Sequence, residues 1–175
     1  MLDSHTEPAG QDVQPLAQAL IDEHHAIDAG IEAFVSRSGS SSSIRDWAQP
    51  LVDAMTALRR HIYLEEEIIF PRIRIGALQM AVMVMLREHG EIWRQMDELE
   101  ALISDPLADR EPNRSAIVAG CNNMLELLEA HNLKEEPVIY PHVDADLDWV
   151  AQAQLTELLA EGVLPGGWVC ERAFA

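Results

Sequence analysis

Four histidines and two glutamates recur at matched spacing in two halves of the chain, and such a set can hold metal. His61-Ile62-Tyr63-Leu64-Glu65-Glu66 is followed by Phe70-Pro71, and His131-Asn132-Leu133-Lys134-Glu135-Glu136 is followed at the same offset by Tyr140-Pro141. Upstream of each stands a second matched fragment, Glu23-His24-x-x-Ile27 and Glu88-His89-x-x-Ile92. The halves span residues 24–71 and 89–141. An internal repeat of supersecondary size implies two similar units, here two helical hairpins facing each other across a shared metal centre.

The HxxxE spacing supplies the geometry. Residues i and i+4 share a helix face with Cβ atoms about 5–6 Å apart, so His61 with Glu65, and His131 with Glu135, reach one metal or two adjacent ones. Buried imidazoles and carboxylates are costly unless paired, and a shared cation neutralises them in one step. Two six-coordinate ions need about twelve donors. Four imidazole nitrogens and two bridging carboxylates fall short of that even with an oxo or hydroxo bridge. The shortfall leaves positions for water, dioxygen or another small ligand. Imidazole with carboxylate and open positions suits iron best, with manganese or zinc next.

The elements that must carry these residues follow from the apolar pattern. Leu16, Leu20, His24, Ile27, Ile31 and Phe34 alternate steps of four and three, the stripe of an amphipathic helix. It stops before the Ser/Gly stretch 36–43. A second helix is expected from Asp46 to Phe70, with Asp46 and Gln49 as a capping box and Leu51, Met55, Leu58, His61, Glu65 and Ile68 inward. Pro71 interrupts or kinks it, and Gly76 marks the turn. A third helix, 77–103, turns Val82, Leu86 or Met85, His89, Ile92 or Trp93, Met96 and Leu99 to one face, with Met80, Met83 and Met85 read as adaptable core filler. A fourth, 114–140, carries Ile117, Cys121, Met124, Leu128, His131, Glu135 and Val138. A shorter fifth covers 147–160 and ends at Gly162, before an irregular tail.

The expected fold is therefore all-α, an up-down-up-down antiparallel four-helix bundle with a short fifth C-terminal helix. Residues 1–12 read as a flexible arm, 13–145 as the bundle, and 146–175 as the C-terminal helix and tail. In every long helix a histidine sits where the spacing demands a core residue.

Composition narrows the function. At 175 residues and 48% apolar the chain buries a real core. A net charge of −18 excludes nucleic acid and anionic membrane as partners, since both reward clustered Lys and Arg. No apolar run reaches the roughly 18 residues of a membrane span, and residues 1–15 lack the pattern of a secretion signal, so a cytoplasmic protein is expected. Cys121 and Cys170 form no CxxC pair; Cys121 is expected to be a buried thiol, and Cys170 receives no role.

These motifs resemble the hemerythrin-like, or HHE cation-binding, family. The resemblance rests on Glu23-His24-x-x-Ile27, His61-x-x-x-Glu65-Glu66-x-x-x-Phe70-Pro71, Glu88-His89-x-x-Ile92 and His131-x-x-x-Glu135-Glu136-x-x-x-Tyr140-Pro141. It implies a non-haem di-iron centre inside a four-helix bundle, held by His24, His61, Glu65, His89, His131 and Glu135. The four-His, two-Glu set is closer to members resembling iron-centre repair proteins than to the oxygen carriers. The oxygen carriers would show HxxxH on the third helix, where Trp93 stands here one turn after His89. The function expected is binding or sensing of a small ligand (dioxygen, nitric oxide or peroxide) at an open iron position. The alternatives are turnover of peroxide or nitric oxide, and an iron-dependent structural switch.

Several neighbours need placing. His25 competes with His24, but the stripe puts His24 inward and turns His25 about 100° away. Trp93 is expected to pack in the core rather than line the pocket. Tyr63 and Tyr140 could donate a phenol to a bound oxygen species, but Tyr140 is expected only to mark a helix end. Glu66 and Glu136 are expected to be solvated or capping rather than to accept from an imidazole N–H. His5 and His142 are expected at the surface.

Overall fold

The computed structural model describes residues 14–39, 48–74, 76–104 and 113–174. Helix α1 covers Leu16–Arg37 and α2 Gln49–Leu64; a π-helical turn follows at Glu65–Ile69 and α3 at Phe70–Ile73. Helices α4 (Leu78–Ser104), α5 (Arg114–Val138), α6 (Pro141–Asp146) and α7 (Trp149–Glu161) complete the order, with no strand among the described residues. The long helices α1, α2, α4 and α5 form an up-down-up-down bundle, α1 packing on α2 and α5, and α4 on α5. Helix α1 runs into the first two residues of the Ser/Gly stretch, Ser36 and Arg37, before stopping. The expected Asp46 cap lies outside the described residues, as does His5.

Helix ends are closed by side chains where orphan N–H groups would otherwise face nothing. Asn113 accepts from the N–H of Ala116, and Asp148 from that of Ala151. At the start of α1, Pro15 offers no side-chain cap. Asp144 of α6 reaches across instead and accepts from the N–H groups of Leu16 and Ala17 at 2.9 and 3.1 Å. Gly76, at φ 58°, takes the left-handed conformation that the turn into α4 requires.

The apolar interior is split in two. One cluster gathers Ile27, Ile31, Phe34, Leu51, Leu58, Met96, Leu99, Ile117, Cys121 and Leu128. The other gathers Leu20, Leu64, Ile68, Phe70, Val82, Leu86, Ile139, Val143 and Leu155. On each long helix the histidine falls between residues of the two clusters, so a polar layer separates them.

Three local expectations need correction. Pro71 does not end the helical run, which continues to Ile73; the interruption falls before it, at the π turn in which the Phe70 N–H bonds to the Glu65 carbonyl five residues back. A proline cannot donate to the carbonyl one turn earlier and its ring crowds it, so the turn before it widens. Of the three methionines read as core filler, only Met85 is buried; Met80 and Met83 are 67% and 43% exposed, because they lie on the outer face of the first turns of α4. The segment after Pro141 is helical at once, as α6, before α7 begins.

The tail beyond α7 is irregular, as expected, but docks firmly. Trp168 meets Trp93 and Tyr63 edge-on and donates its indole N–H to Glu67. The Glu171 N–H donates to Glu66 at 2.7 Å, and Arg94 donates to the Arg172 carbonyl. Gly90 makes this approach possible, since a Cβ there would sit 2.4 Å from the Arg172 oxygen. Burial pushes the thiols of Cys121 and Cys170 up to about 12, leaving them inert.

Candidate metal centre

The six residues expected to converge do so. His24, His61, Glu65 and Glu135 present donor atoms within 4.8 Å of one another, as do Glu65, His89, His131 and Glu135. The two quartets share both glutamates, and all six side chains are buried. Glu65 spans them: Oε1 lies 3.0 Å from His61 Nε2, and Oε2 lies 3.1 Å from His89 Nε2. Glu135 Oε2 lies 3.1 Å from His131 Nε2 and 3.7 Å from His24 Nε2. His25 is exposed and takes no part.

Each imidazole is aimed by a carboxylate from a neighbouring helix. Glu23 on α1 accepts from His61 Nδ1 at 2.7 Å, and Glu66 in the π turn accepts from His89 Nδ1 at 2.8 Å. Glu88 on α4 accepts from His131 Nδ1 at 3.2 Å, and Glu136 on α5 accepts from His24 Nδ1 at 3.0 Å. The ring of four contacts closes on itself around the bundle. A carboxylate at Nδ1 fixes the tautomer and turns the Nε2 lone pair inward. Three carboxylates are anchored by their second oxygen: Glu23 to Arg60, Glu88 to Lys134 and Glu66 to the Glu171 amide.

Glu66 and Glu136 thus orient imidazoles, contrary to the solvated role expected. Glu23 and Glu88 were missed, although the sequence carried a signal. The pair Glu-His occurs in both halves, and so does the doublet Glu-Glu. Trp93 packs as expected, with the Arg59 guanidinium 5.2 Å from its ring. His142 is half-exposed and pairs with Asp146.

Tyr140 was expected to mark a helix end. It stands two residues past the end of α5, at the start of α6, and its hydroxyl enters the site, 2.8 Å from Glu65 Oε1, 2.9 Å from His24 Nε2, 3.0 Å from His61 Nε2 and 3.3 Å from Glu135 Oε2. The matching Phe70 instead lies parallel to the His89 ring at 5.5 Å.

The electrostatics favour positive charge in this pocket. Burial works against a charged imidazole at His61, yet Glu65 and Glu23 outweigh it and hold His61 well above its ordinary value. His89 is raised in the same way, against its burial, by Glu65 and Glu66. His131, also buried, is raised to about 10 by Glu135 and Glu88. Burial would raise Glu65, but His61 and His89 hold it well below the usual carboxylate range. His24 is lowered, first by burial and then by the charge of His61.

The donor set fits a metal on a second, independent ground. Buried polar atoms in native proteins almost always have partners. Glu65 Oε2, His89 Nε2 and Glu135 Oε1 are buried and make no hydrogen bond. All three belong to the two quartets, and a cation between them would satisfy them together. Truncating the orienting ring tests this. Glu23→Ala leaves the His61 N–H and the Arg60 guanidinium without their carboxylate, and metal affinity is expected to fall about 10–100-fold. Metal titration alongside circular dichroism checks it, with helical content retained.

The comparisons agree with the geometry. The family model described as the hemerythrin HHE cation binding domain matches residues 16–143. A probable iron-sulfur cluster repair protein of Haemophilus influenzae is 32% identical over 91 residues, covering 49% of this chain. The aligned part spans only 41% of that relative's length. No solved structure matches. The matched segment takes in all four histidines and both bridging glutamates, and the chain belongs to the hemerythrin HHE cation-binding family.

Proposed function

We propose that this chain is a non-haem di-iron protein of hemerythrin type that binds a small ligand (dioxygen, nitric oxide or peroxide) at an open metal position. The observation that carries this is the pair of buried donor quartets sharing Glu65 and Glu135. One mononuclear site would not need both oxygens of Glu65 to face different histidines. In this reading His24 and His61 would hold one ion and His89 and His131 the other, with Glu65 and Glu135 available to both. Iron, when bound, supplies redox and Lewis-acid chemistry. The protein's own part is to hold the imidazoles as neutral donors through Glu23, Glu66, Glu88 and Glu136, and to exclude bulk water with the two apolar clusters.

The similarity to a probable iron-sulfur cluster repair protein favours a second reading, in which the centre serves the upkeep of other iron sites. Both readings require iron. Protein purified without added metal is expected to contain about two iron ions per chain, since two overlapping quartets are present. Azide, nitric oxide or peroxide is expected to change its visible spectrum. Absence of iron, or a spectrum indifferent to all three, overturns the proposal.

A further inference from the structure

We propose that Tyr140 is a seventh protein ligand, binding through its phenol oxygen the metal held by His24 and His61, so that the two metal positions are chemically unlike. This rests on the dinuclear reading above. Its ground is the placement of one oxygen among four donor atoms, at 2.8, 2.9, 3.0 and 3.3 Å. A hydroxyl can donate one hydrogen bond and accept two, so hydrogen bonding alone leaves one of these four contacts unexplained. Coordination accounts for all of them. With metal–ligand bonds of about 2.1 Å, adjacent corners of an octahedron lie about 3.0 Å apart. The Tyr140 oxygen stands at about that distance from each of the four, where a fifth corner belongs.

The backbone puts it there by related turns in the two halves. The Phe70 N–H bonds to the Glu65 carbonyl five residues back, in a π turn. At the matching place the Glu135 carbonyl takes the Ile139 N–H at 2.7 Å and also has the Tyr140 N–H at 3.4 Å. Each turn returns residue 70 or 140 to the face of its glutamate. One half delivers a phenol and the other a plain phenyl ring, which lies along His89 and offers no donor.

Binding replaces the phenol proton by the metal. A cation among those carboxylates favours the phenolate, and the displaced proton leaves to solvent as metal binds. The consequence is a division of labour. The metal at His24 and His61 is closed by Tyr140, and an incoming ligand is directed to the metal at His89 and His131.

The test uses the full chain loaded with iron in its diferric form. Two tyrosines are present in the sequence, and Tyr63 packs against Trp168. Visible absorption and resonance Raman spectra are expected to show a phenolate-to-iron charge-transfer band. The band is retained in Tyr63→Phe and lost in Tyr140→Phe, which still binds two irons. Should Tyr140→Phe fail to fold, a band that survives in Tyr63→Phe still assigns it to Tyr140. A wild-type protein with two irons, responsive to azide but lacking the band, overturns this inference and leaves the proposed function standing. A protein that binds no iron overturns the proposed function itself. Added azide is expected to leave the phenolate band in place; its loss would overturn the direction of the ligand to the second metal.

Discussion

Glu65→Gln is expected to reduce metal binding from two ions per chain to one at most. Both oxygens of this carboxylate are committed, one toward His61 and one toward His89. An amide offers one acceptor and one donor where two acceptors are needed. Leaving buried imidazolium charge without its partner costs about 3–5 kcal/mol. For a chain of this size that is a fall in melting temperature of roughly 6–20 °C. Elemental analysis with calorimetry measures both quantities. Glu126→Gln, at an exposed position on α5, serves as the control and is expected to change neither. Two ions retained in Glu65→Gln would rule out a bridging role.

Removing the metal is expected to cost comparable stability, and the cost is expected to grow with pH. At free metal about a thousandfold above its dissociation constant, binding adds about 4.1 kcal/mol, or roughly 8–16 °C. The sign of the pH effect follows from the imidazoles. The glutamates around them raise His61, His89 and His131 above the ordinary value of 6.5, His131 to about 10. Protonated, they balance Glu65 and Glu135 when no cation does. The stability they contribute is fully present below the unfolded value of about 6.5, and is lost as pH rises through the folded values. Metal binding must displace those protons, so it strengthens over the same range. Melting curves with and without metal should therefore separate between about pH 6.5 and pH 10. Curves that coincide at every pH would show that the polar layer needs no cation.

The sequence carried the bundle and the inner donor set because both obey one period. His24, His61, His89 and His131 fall on the same seams as Ile27, Leu58, Leu86 and Leu128, and an α-helix keeps such residues on one face. His61 and His131 stand one turn before their glutamates, so HxxxE was legible for the same reason. Tyr140 was not, because a regular helix places a residue five positions after Glu135 about 140° away from it. The turn after Val138, where the Glu135 carbonyl faces both the Ile139 and Tyr140 N–H groups, brings it back, and nothing in a 3.6-residue period announces such a turn. The four orienting carboxylates were hidden differently. Glu23, Glu66, Glu88 and Glu136 each act on an imidazole of another helix, and those pairings exist only once the helices are side by side. Met80 and Met83 show the reverse error: apolar residue type suggested burial, while their position on α4 left them outside.

Glu66 ties the end of the chain to the heart of the bundle. One of its oxygens steadies the His89 ring and the other holds the Glu171 amide. Linkage makes such sharing reciprocal. Whatever free energy the seated C-terminal residues lend to the posture of that ring, a ring fixed in place returns to them in equal measure. A metal that held His89 would therefore favour the seated C-terminal residues, and they the metal, by the same free energy.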